Sequence, residues 1–340
     1  MSSPDNKRPV SSTDVAEHAG VSQATVSRVL SGKGQVSEAT RKRVTKSLEQ
    51  LGYQPNANAR ALKTQRTQTI AVVVADITNP FYPELVESLN EALAARDQLM
   101  LLWDDASNGD DSSVLAAIQG GIVDGAIFAT ATTGSKTLTR ADELKLPVVL
   151  VNRNVSEFDF DSVTSDNRTG GRAVADYFFA HGRSPAVIAG PKTASTSWDR
   201  SQGFLARWKE LKPDDQVETR YSDFSHGSGS SFLSEVMSAA HRPDAIFATN
   251  DYTAFGVLDA AKQPGHSVPE DVWVVGYDDI SMASWASFDL TTIRQPTAKM
   301  ASEAVRLLLR RLDERDAPSE SVRFSGELIV RDSTSGAPAA

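Results

Sequence analysis

The chain has 340 residues, 40 % of them hydrophobic and none of them cysteine. That length exceeds one ordinary core and predicts about two to three domains, and the lack of thiols excludes disulfide scaffolds, cysteine zinc sites and thiol catalysis. Charge is unevenly spread: residues 1 to 68 hold 11 Lys plus Arg against 5 Asp plus Glu, a balance of +6, while the whole chain stands at −9, which leaves −15 for residues 69 to 340. A basic head on an acidic body fits a nucleic-acid-binding module joined to a domain that binds something else, and a uniformly acidic enzyme has no use for the asymmetry.

In chain order, the first informative stretch is residues 11 to 31. Ser11 is an N-cap with Asp14 three residues on, Val15, Ala16 and Ala19 share one helical face, and Gly20 ends the helix. Ser22 caps a second helix whose Val26, Val29 and Leu30 turn inward, leaving Gln23, Ala24, Ser27 and Arg28 outward. Two short capped helices joined by a glycine turn form a helix-turn-helix, and the second can enter a DNA major groove. Ser37 caps a third helix carrying Val44, Leu48 and Leu51, which Gly52 ends. The segment from Pro55 to Arg66 has a helix-starting proline and helix-favouring alanines but no apolar face, so it reads either as a hinge helix that forms conditionally or as a plain linker.

From Thr69 the pattern changes. Continuous apolar runs at Ile70–Val74, Leu99–Trp103, Gly125–Ala129 and Val148–Val151 read as strands buried on both faces, and a second series follows at Ala186–Ala189, Ala245–Thr249 and Trp273–Tyr277. Helices are expected at Glu84–Arg96, Gly170–His181, Ser201–Leu211 and Lys299–Leu312. Repeated βα units imply parallel, doubly wound sheets, and two such series imply two lobes with a cleft between them. The tail after Asp332 is small and polar and is expected to be disordered. No stretch of about 18 apolar residues and no apolar run of signal-peptide type occurs, so a cytoplasmic protein with no membrane partner is expected.

Enzyme motifs are missing: no Gly-x-Ser-x-Gly, no Gly-Lys-Ser/Thr loop, no His-Glu-x-x-His and no Gly-x-Gly-x-x-Gly. Gly227-Ser-Gly-Ser reads as a flexible loop, and the 5 histidines are scattered at no metal-ligand spacing. What the sequence does place at strand ends is polar recognition chemistry: Asp76, Asn250-Asp251 and Asp278-Asp279. Carboxyl ends of parallel strands are where α/β ligand sites form, and sugar hydroxyls need such carboxylate and amide partners. Asp76 can equally serve as a helix N-cap.

The segments Asp14-Val-Ala, Ala19-Gly-Val-Ser, Thr25-Val-Ser-Arg-Val-Leu, Val36-Ser-Glu-Ala-Thr-Arg and Leu51-Gly-Tyr-Gln-Pro-Asn closely resemble the N-terminal signature of the lactose-repressor/galactose-repressor (LacI/GalR) family. The resemblance continues through Asp76-Ile-Thr-Asn-Pro-Phe-Tyr, Val123-Asp-Gly, Arg200-Ser-Gln-Gly-Phe, Thr249-Asn-Asp, Val275-Gly-Tyr-Asp-Asp-Ile and Leu290-Thr-Thr-Ile-Arg-Gln-Pro. Two departures are modest: Ser12 stands where Leu or Ile is usual, and Ser31 where Asn often ends the second helix.

The resemblance implies a dimeric transcription regulator, usually a repressor, without enzyme activity or cofactor. Its implied architecture is an all-α helix-turn-helix head (1–54), a hinge (55–68) and a two-lobed, periplasmic-binding-protein-like α/β core (69–332). The N-lobe is expected over 69–165 and 295–323, the C-lobe over 166–294 and 324–332, and the tail over 333–340. On DNA, Gln23 would pair with adenine, Ala24 touch a thymine methyl and Arg28 fork onto guanine, while Ser22, Thr25 and Ser27 hold phosphates. Leu62 would wedge into the minor groove, with Ala59 allowing close helix approach and Asn56 bonding near the groove floor or backbone. A twofold dimer demands a pseudo-palindromic operator. The implied effector site comprises Phe81, Tyr82, Asp166, Arg200, Phe224, Asn250 and Asp278, with Asp76 as a possible hydroxyl acceptor. The effector is expected to be a small molecule, most often a sugar; a partner protein or a non-sugar corepressor is the alternative.

Overall fold

Short polar caps and small apolar side chains build the first unit. The structure, a computed structural model, describes residues 10–32, 35–53, 61, 66–104, 113–238, 242–263 and 266–335, and it divides into two units, Met1–Thr67 and Gln68–Ala340. The first unit holds α1 (Ser12–Ala19), α2 (Gln23–Ser31) and α3 (Glu38–Leu51). Ser11 and Asp14 close a reciprocal capping box, with the Ser11 N–H donating to Asp14 Oδ2 at 2.7 Å and the Asp14 N–H to Ser11 Oγ at 3.3 Å. Gly20 takes the left-handed conformation at φ 63°, which a side chain would strain, and so turns the chain from α1 into α2. Val15, Ala16, Ala19, Val26 and Val44 are buried together, with Val29, Leu48 and Leu51 packed against them. His18 ties α1 to α3 through Ser47 Oγ at 2.9 Å. One expectation fails here: Leu30 is 39 % exposed, because the mini-core closes over Val26 and Val29 and does not take in Leu30.

The second unit is built from two six-stranded sheets. In chain order it holds β1 (Thr69–Val74), α4 (Phe81–Ala94), β2 (Leu99–Asp104), α5 (Ser113–Gln119), β3 (Gly125–Phe128), α6 (Lys136–Glu143), β4 (Val148–Val151) and β5 (Asp161–Ser165). There follow α7 (Asn167–Ala180), β6 (Pro185–Ala189), α8 (Ser195–Leu211), β7 (Glu218–Tyr221), α9 (His226–Val236), β8 (Ala245–Ala248), α10 (Asp251–Ala261) and β9 (Trp273–Asp278). The last elements are β10 (Thr291–Arg294), α11 (Thr297–Asp313), β11 (Ser321–Phe324) and β12 (Glu327–Ile329). One sheet runs β2-β1-β3-β4-β5-β11 and is parallel throughout; the other runs β7-β6-β8-β9-β10-β12, with only β12 antiparallel. The expected α/β class with doubly wound parallel sheets is what the chain adopts.

The chain passes between the sheets near Ser165–Asp166, near Arg294–Gln295 and between Phe324 and Glu327. Helix α11 returns to pack on α4 and on β3, β4 and β5. Polar pairs fix the later passages, with Asp279 receiving Arg294 at 2.6 Å and Arg331 at 2.7 Å, while fully buried Asp161 at the start of β5 holds the end of α11 through Arg310 and Arg311, each at 2.8 Å. At the entry to the core, the Gln68 N–H donates to Asp124 Oδ2 at 2.8 Å, so the residue before β1 is tied to the start of β3.

Several expectations are corrected. The run Leu99–Trp103 is not buried on both faces, since β2 is the outermost strand and leaves Leu99 65 % and Leu102 43 % exposed. Four helices begin two to six residues earlier than their apolar pattern, at Phe81, Asn167, Ser195 and Thr297, and of the added residues Phe81, Tyr82, Thr196 and Arg200 line the space between the lobes. Gly227-Ser-Gly-Ser is no loop but the first turn of α9, capped by Ser225. The tail is ordered further than expected: Asp332–Thr334 form a 3₁₀ turn with Ser333 and Thr334 buried. Ser333 Oγ donates to the Val274 carbonyl at 2.7 Å and Thr334 Oγ1 lies 2.9 Å from Tyr177 Oη.

Candidate functional site

Two sites emerge, one in each unit. In the first, α2 presents Ser22, Gln23, Ala24, Ser27 and Arg28 to solvent, with Thr25 half-buried beside the Ser22 cap. Gln23 is held in place: its Nε2 donates to Ser12 Oγ at 2.8 Å. A hydroxyl at position 12 thus orients the amide, leaving the second Nε2 hydrogen and Oε1 available for the two-point pattern of an adenine edge. Asn56, Ala59 and Leu62 lie outside the described residues.

The second site lies between the lobes at the carboxyl ends of the strands. Phe81 and Tyr82, on the first turn of α4, are buried and meet edge to face at 5.5 Å. Opposite them, α8 carries Arg200 into the cleft. Helices α7 and α8 cross in backbone contact, since a Cβ on Gly171 would collide with the Arg200 carbonyl and one on Gly203 with that of Arg168. Three of the five guanidinium N–H groups are then engaged: Nε donates to Asn167 Oδ1 at 2.8 Å, Nη1 to the Thr249 carbonyl at 2.7 Å and to Asp278 Oδ1 at 3.0 Å, and the plane lies 3.7 Å from the Tyr277 ring centroid. Asp278 Oδ1 also accepts from Gln295 at 2.7 Å, and its backbone sits at φ 126°, a strained conformation for a side-chain-bearing residue and of the kind that clusters at ligand sites.

Asn250 and Phe224 complete the C-lobe wall, with Asn250 Nδ2 donating to the Phe224 carbonyl at 3.3 Å. The space between these groups, counted with its open mouth, is about 250 Å³. The cleft brings together Phe81, Tyr82, Arg200, Phe224, Asn250 and Asp278 but not the other two expected residues. Asp166 caps α7, accepting from the Thr169 N–H at 3.1 Å, and Asp76 is exposed in a local turn with Thr78.

Two family models match the chain. Residues 13–56 match the model of bacterial regulatory proteins of the lacI family, and residues 175–334 match the periplasmic-binding-protein-like domain. The chain is 34 % identical to the transcriptional regulator CelR of Thermobifida fusca, over 94 % of this chain and 96 % of CelR. It is 32 % identical to the transcriptional repressor CytR of Escherichia coli K12, over 96 % of both. Among solved structures it resembles a CelR–cellobiose complex (TM-score 0.72, 32 % identity, 96 % of this chain and all of that one). It also resembles a LacI family regulator from Enterococcus faecium with bound ribose (TM-score 0.71, 28 % identity, 80 % of this chain and all of that one).

The chain belongs to the LacI family. As a member it is a DNA-binding transcriptional regulator and not an enzyme.

Four residues of this LacI-family cleft escaped the sequence reading: Asn79, Asn152, Arg153 and Thr196. Asn152 and Arg153 directly follow the apolar run of β4, so the same strand-end rule that selected Asn250 and Asp278 selects them too. Asn79 and Thr196 sit at helix starts that lie earlier than the apolar pattern placed them. The strand-end rule also over-reached. Of each polar pair only one member lines the cleft, while Asp251 is buried beneath β9, accepting from the Ile280 N–H at 3.0 Å and from Thr292 Oγ1, and Asp279 binds the arginines of the lobe passages.

Burial pushes the Asp251 carboxyl well above its ordinary range, and the neighbouring Asp278 charge adds to the shift. A carboxyl whose folded value exceeds its unfolded value contributes stability below the unfolded value and loses it as pH rises through the folded one. Asp251→Asn removes the charge and keeps the shape, so its melting temperature should gain on the native chain as pH rises from about 5 to about 8, where Asp251 ionises in the folded chain, and level off above that. Parallel melting curves across that range would show that Asp251 stays ionised throughout.

Proposed function

We propose that this LacI-family regulator acts in the cytoplasm as a homodimeric repressor of a pseudo-palindromic operator, and that a sugar bound between its lobes changes operator affinity. The head comprises residues 1–54 and the hinge 55–68, followed by the sensing core from residue 69. In this reading Gln23, Ala24 and Arg28 read bases while Ser22, Thr25 and Ser27 hold phosphates. The hinge contributes Leu62 as a minor-groove wedge, with Asn56 and Ala59 beside it.

The observation that carries the sensing half is the convergence of Arg200, Asp278 and Asn250 with the rings of Phe81 and Phe224 in one interlobe space. Paired carboxylate, guanidinium and amide groups match sugar hydroxyls, and the rings match the apolar face of a pyranose or furanose. That CelR was solved with cellobiose and the Enterococcus faecium regulator with ribose supports the same chemistry here. Because Gln68 is bonded to Asp124 and its carbonyl accepts from the Leu99 N–H at 2.7 Å, the hinge leaves a fixed point of the N-lobe. A change of lobe orientation around a ligand therefore reaches the paired hinges of a dimer, and the coupling is reciprocal, typically about 1–3 kcal/mol.

The test selects an operator from a random pool of double-stranded DNA with the full chain. The selected sites should be pseudo-palindromes. Gln23→Ala should relax the preference at one base of each half-site, and Ser12→Ala should do so more weakly by releasing the amide. Leu62→Ala should weaken specific binding while sugar binding persists. Failure to enrich any site would refute the DNA half of the proposal, and enriched sites whose affinity no sugar alters would refute the sensing half.

A further inference from the structure

Electrostatic accounting inside the cleft leaves one charge over. Arg200 is neutralised by Asp278 at 3.0 Å. Arg153, the first cation after β4, is 91 % buried on its 9 % exposure, yet among the described residues no carboxylate pairs with it. Its partners are all neutral. Nη2 donates to Tyr82 Oη at 2.8 Å, Nη1 reaches the Thr130 carbonyl at 3.5 Å, the guanidinium lies 5.4 Å from the Phe224 ring centroid, and Nε has no partner. An arginine cannot shed its proton to relieve burial, and an uncompensated buried charge is costly. The charge of Asp76 reaches Tyr82, but Asp76 is exposed, its Oδ1 accepts from the Thr78 N–H at 3.2 Å and from Thr78 Oγ1 at 2.6 Å, and it does not line the cleft.

Two more details define what would satisfy the site. The Tyr82 hydroxyl, kept neutral because burial raises its pKa, accepts from Arg153 and keeps its own proton to donate. Beside it, Asn152 Oδ1 is buried without a donor. The wall from Tyr82 to Arg153 therefore offers donors bearing a net positive charge, next to one acceptor that needs a hydroxyl.

We propose that the effector is an anionic sugar, a ring carrying a carboxylate or a phosphate, whose charged group pairs with Arg153 while a neighbouring hydroxyl donates to Asn152. This rests on the sugar-sensing reading above and narrows it. Charge-assisted hydrogen bonds to a guanidinium are the strong ones in such a site, and the expected preference over the neutral sugar of the same ring is about tenfold or more.

The experiment is calorimetric titration of the full chain with matched sets that differ only in the charged group. These are glucose, glucuronate and glucose 6-phosphate; galactose, galacturonate and galactose 6-phosphate; and ribose with ribose 5-phosphate. Inorganic phosphate and acetate serve as anions without a ring. The carboxylate and phosphate arms decide which acid the site takes. In at least one set the anionic member should bind about tenfold tighter than its neutral parent, with an affinity that falls as salt rises. Arg153→Gln should abolish that preference, and Arg153→Lys, which keeps the charge, should retain part of it. Tightest binding by neutral sugars, in the native chain and in Arg153→Gln alike, would overturn the charge assignment and leave the sugar reading standing. Binding of the ringless anions as tightly as the anionic sugars would overturn the sugar reading, and no binding by any member would overturn both.

Discussion

Arg200→Ala is expected to destabilise the core by about 3–5 kcal/mol and to abolish effector binding. The guanidinium satisfies Asn167 Oδ1, the Thr249 carbonyl and Asp278 at once, so its removal takes the side-chain donor from the first two and leaves the Asp278 carboxylate with Gln295 alone. Arg200→Lys is not expected to rescue, because an ammonium cannot reproduce the planar fork or its stacking on Tyr277. The effect has a pH signature. Burial already raises Asp278, and Arg200 is what holds it down; without Arg200 its folded pKa climbs further. Stability is then lost progressively as pH rises through that higher value, so the gap between native and variant chains in urea denaturation should be smaller at acidic pH than at alkaline pH. A pH-independent gap would mean that the loss is one of packing alone.

Arg28→Ala should weaken operator binding by about 1–3 kcal/mol, roughly 5- to 150-fold, if it forks onto guanine. Binding to non-specific DNA should change far less, by the loss of a single cation from the head. Replacing the contacted G·C pair should cost the native chain as much as the mutation does, and should cost the Arg28→Ala variant little more, which is the outcome of a closed double-mutant cycle. Equal losses on specific and non-specific DNA would reassign Arg28 to phosphate contact.

Local signals in the sequence explain why the head was legible nearly residue by residue. Its three helices are each fixed by a serine cap and a glycine stop, both short-range features. The core strands that were found are those with unbroken apolar runs: most, such as β1 and β8, are buried on both faces, and β2 keeps such a run at an exposed edge. The strands missed are β5, β7, β10, β11 and β12. Among them, β7, β11 and β12 are half-exposed edge strands with alternating polar residues. Strands β5 and β10 are buried, but Asp161, Thr291 and Thr292 spend their polar groups on partners more than 35 residues away in sequence, which no local pattern reveals.

The cleft was half legible for a related reason. A strand end predicts that a polar residue can face a ligand, but it does not say which member of a pair will. Asp278 turns into the cleft because its backbone takes φ 126°, and Asp279 at φ 54° turns to Arg294 and Arg331. Backbone sign at adjacent residues is set by tertiary contacts. Arg153 went unnoticed because its significance lies in what is missing around it, an acidic partner, and that is a property of the assembled site.

The central claim is that occupancy of the interlobe cleft and affinity for operator are coupled. The most direct measurement is fluorescence anisotropy of the selected operator with the full chain, at zero and at saturating effector, paired with calorimetry of the effector in the presence and absence of operator. The account predicts the same factor in both directions, about 5- to 150-fold, and its loss in Arg200→Ala. An effector that binds the cleft while operator affinity stays unchanged would contradict it.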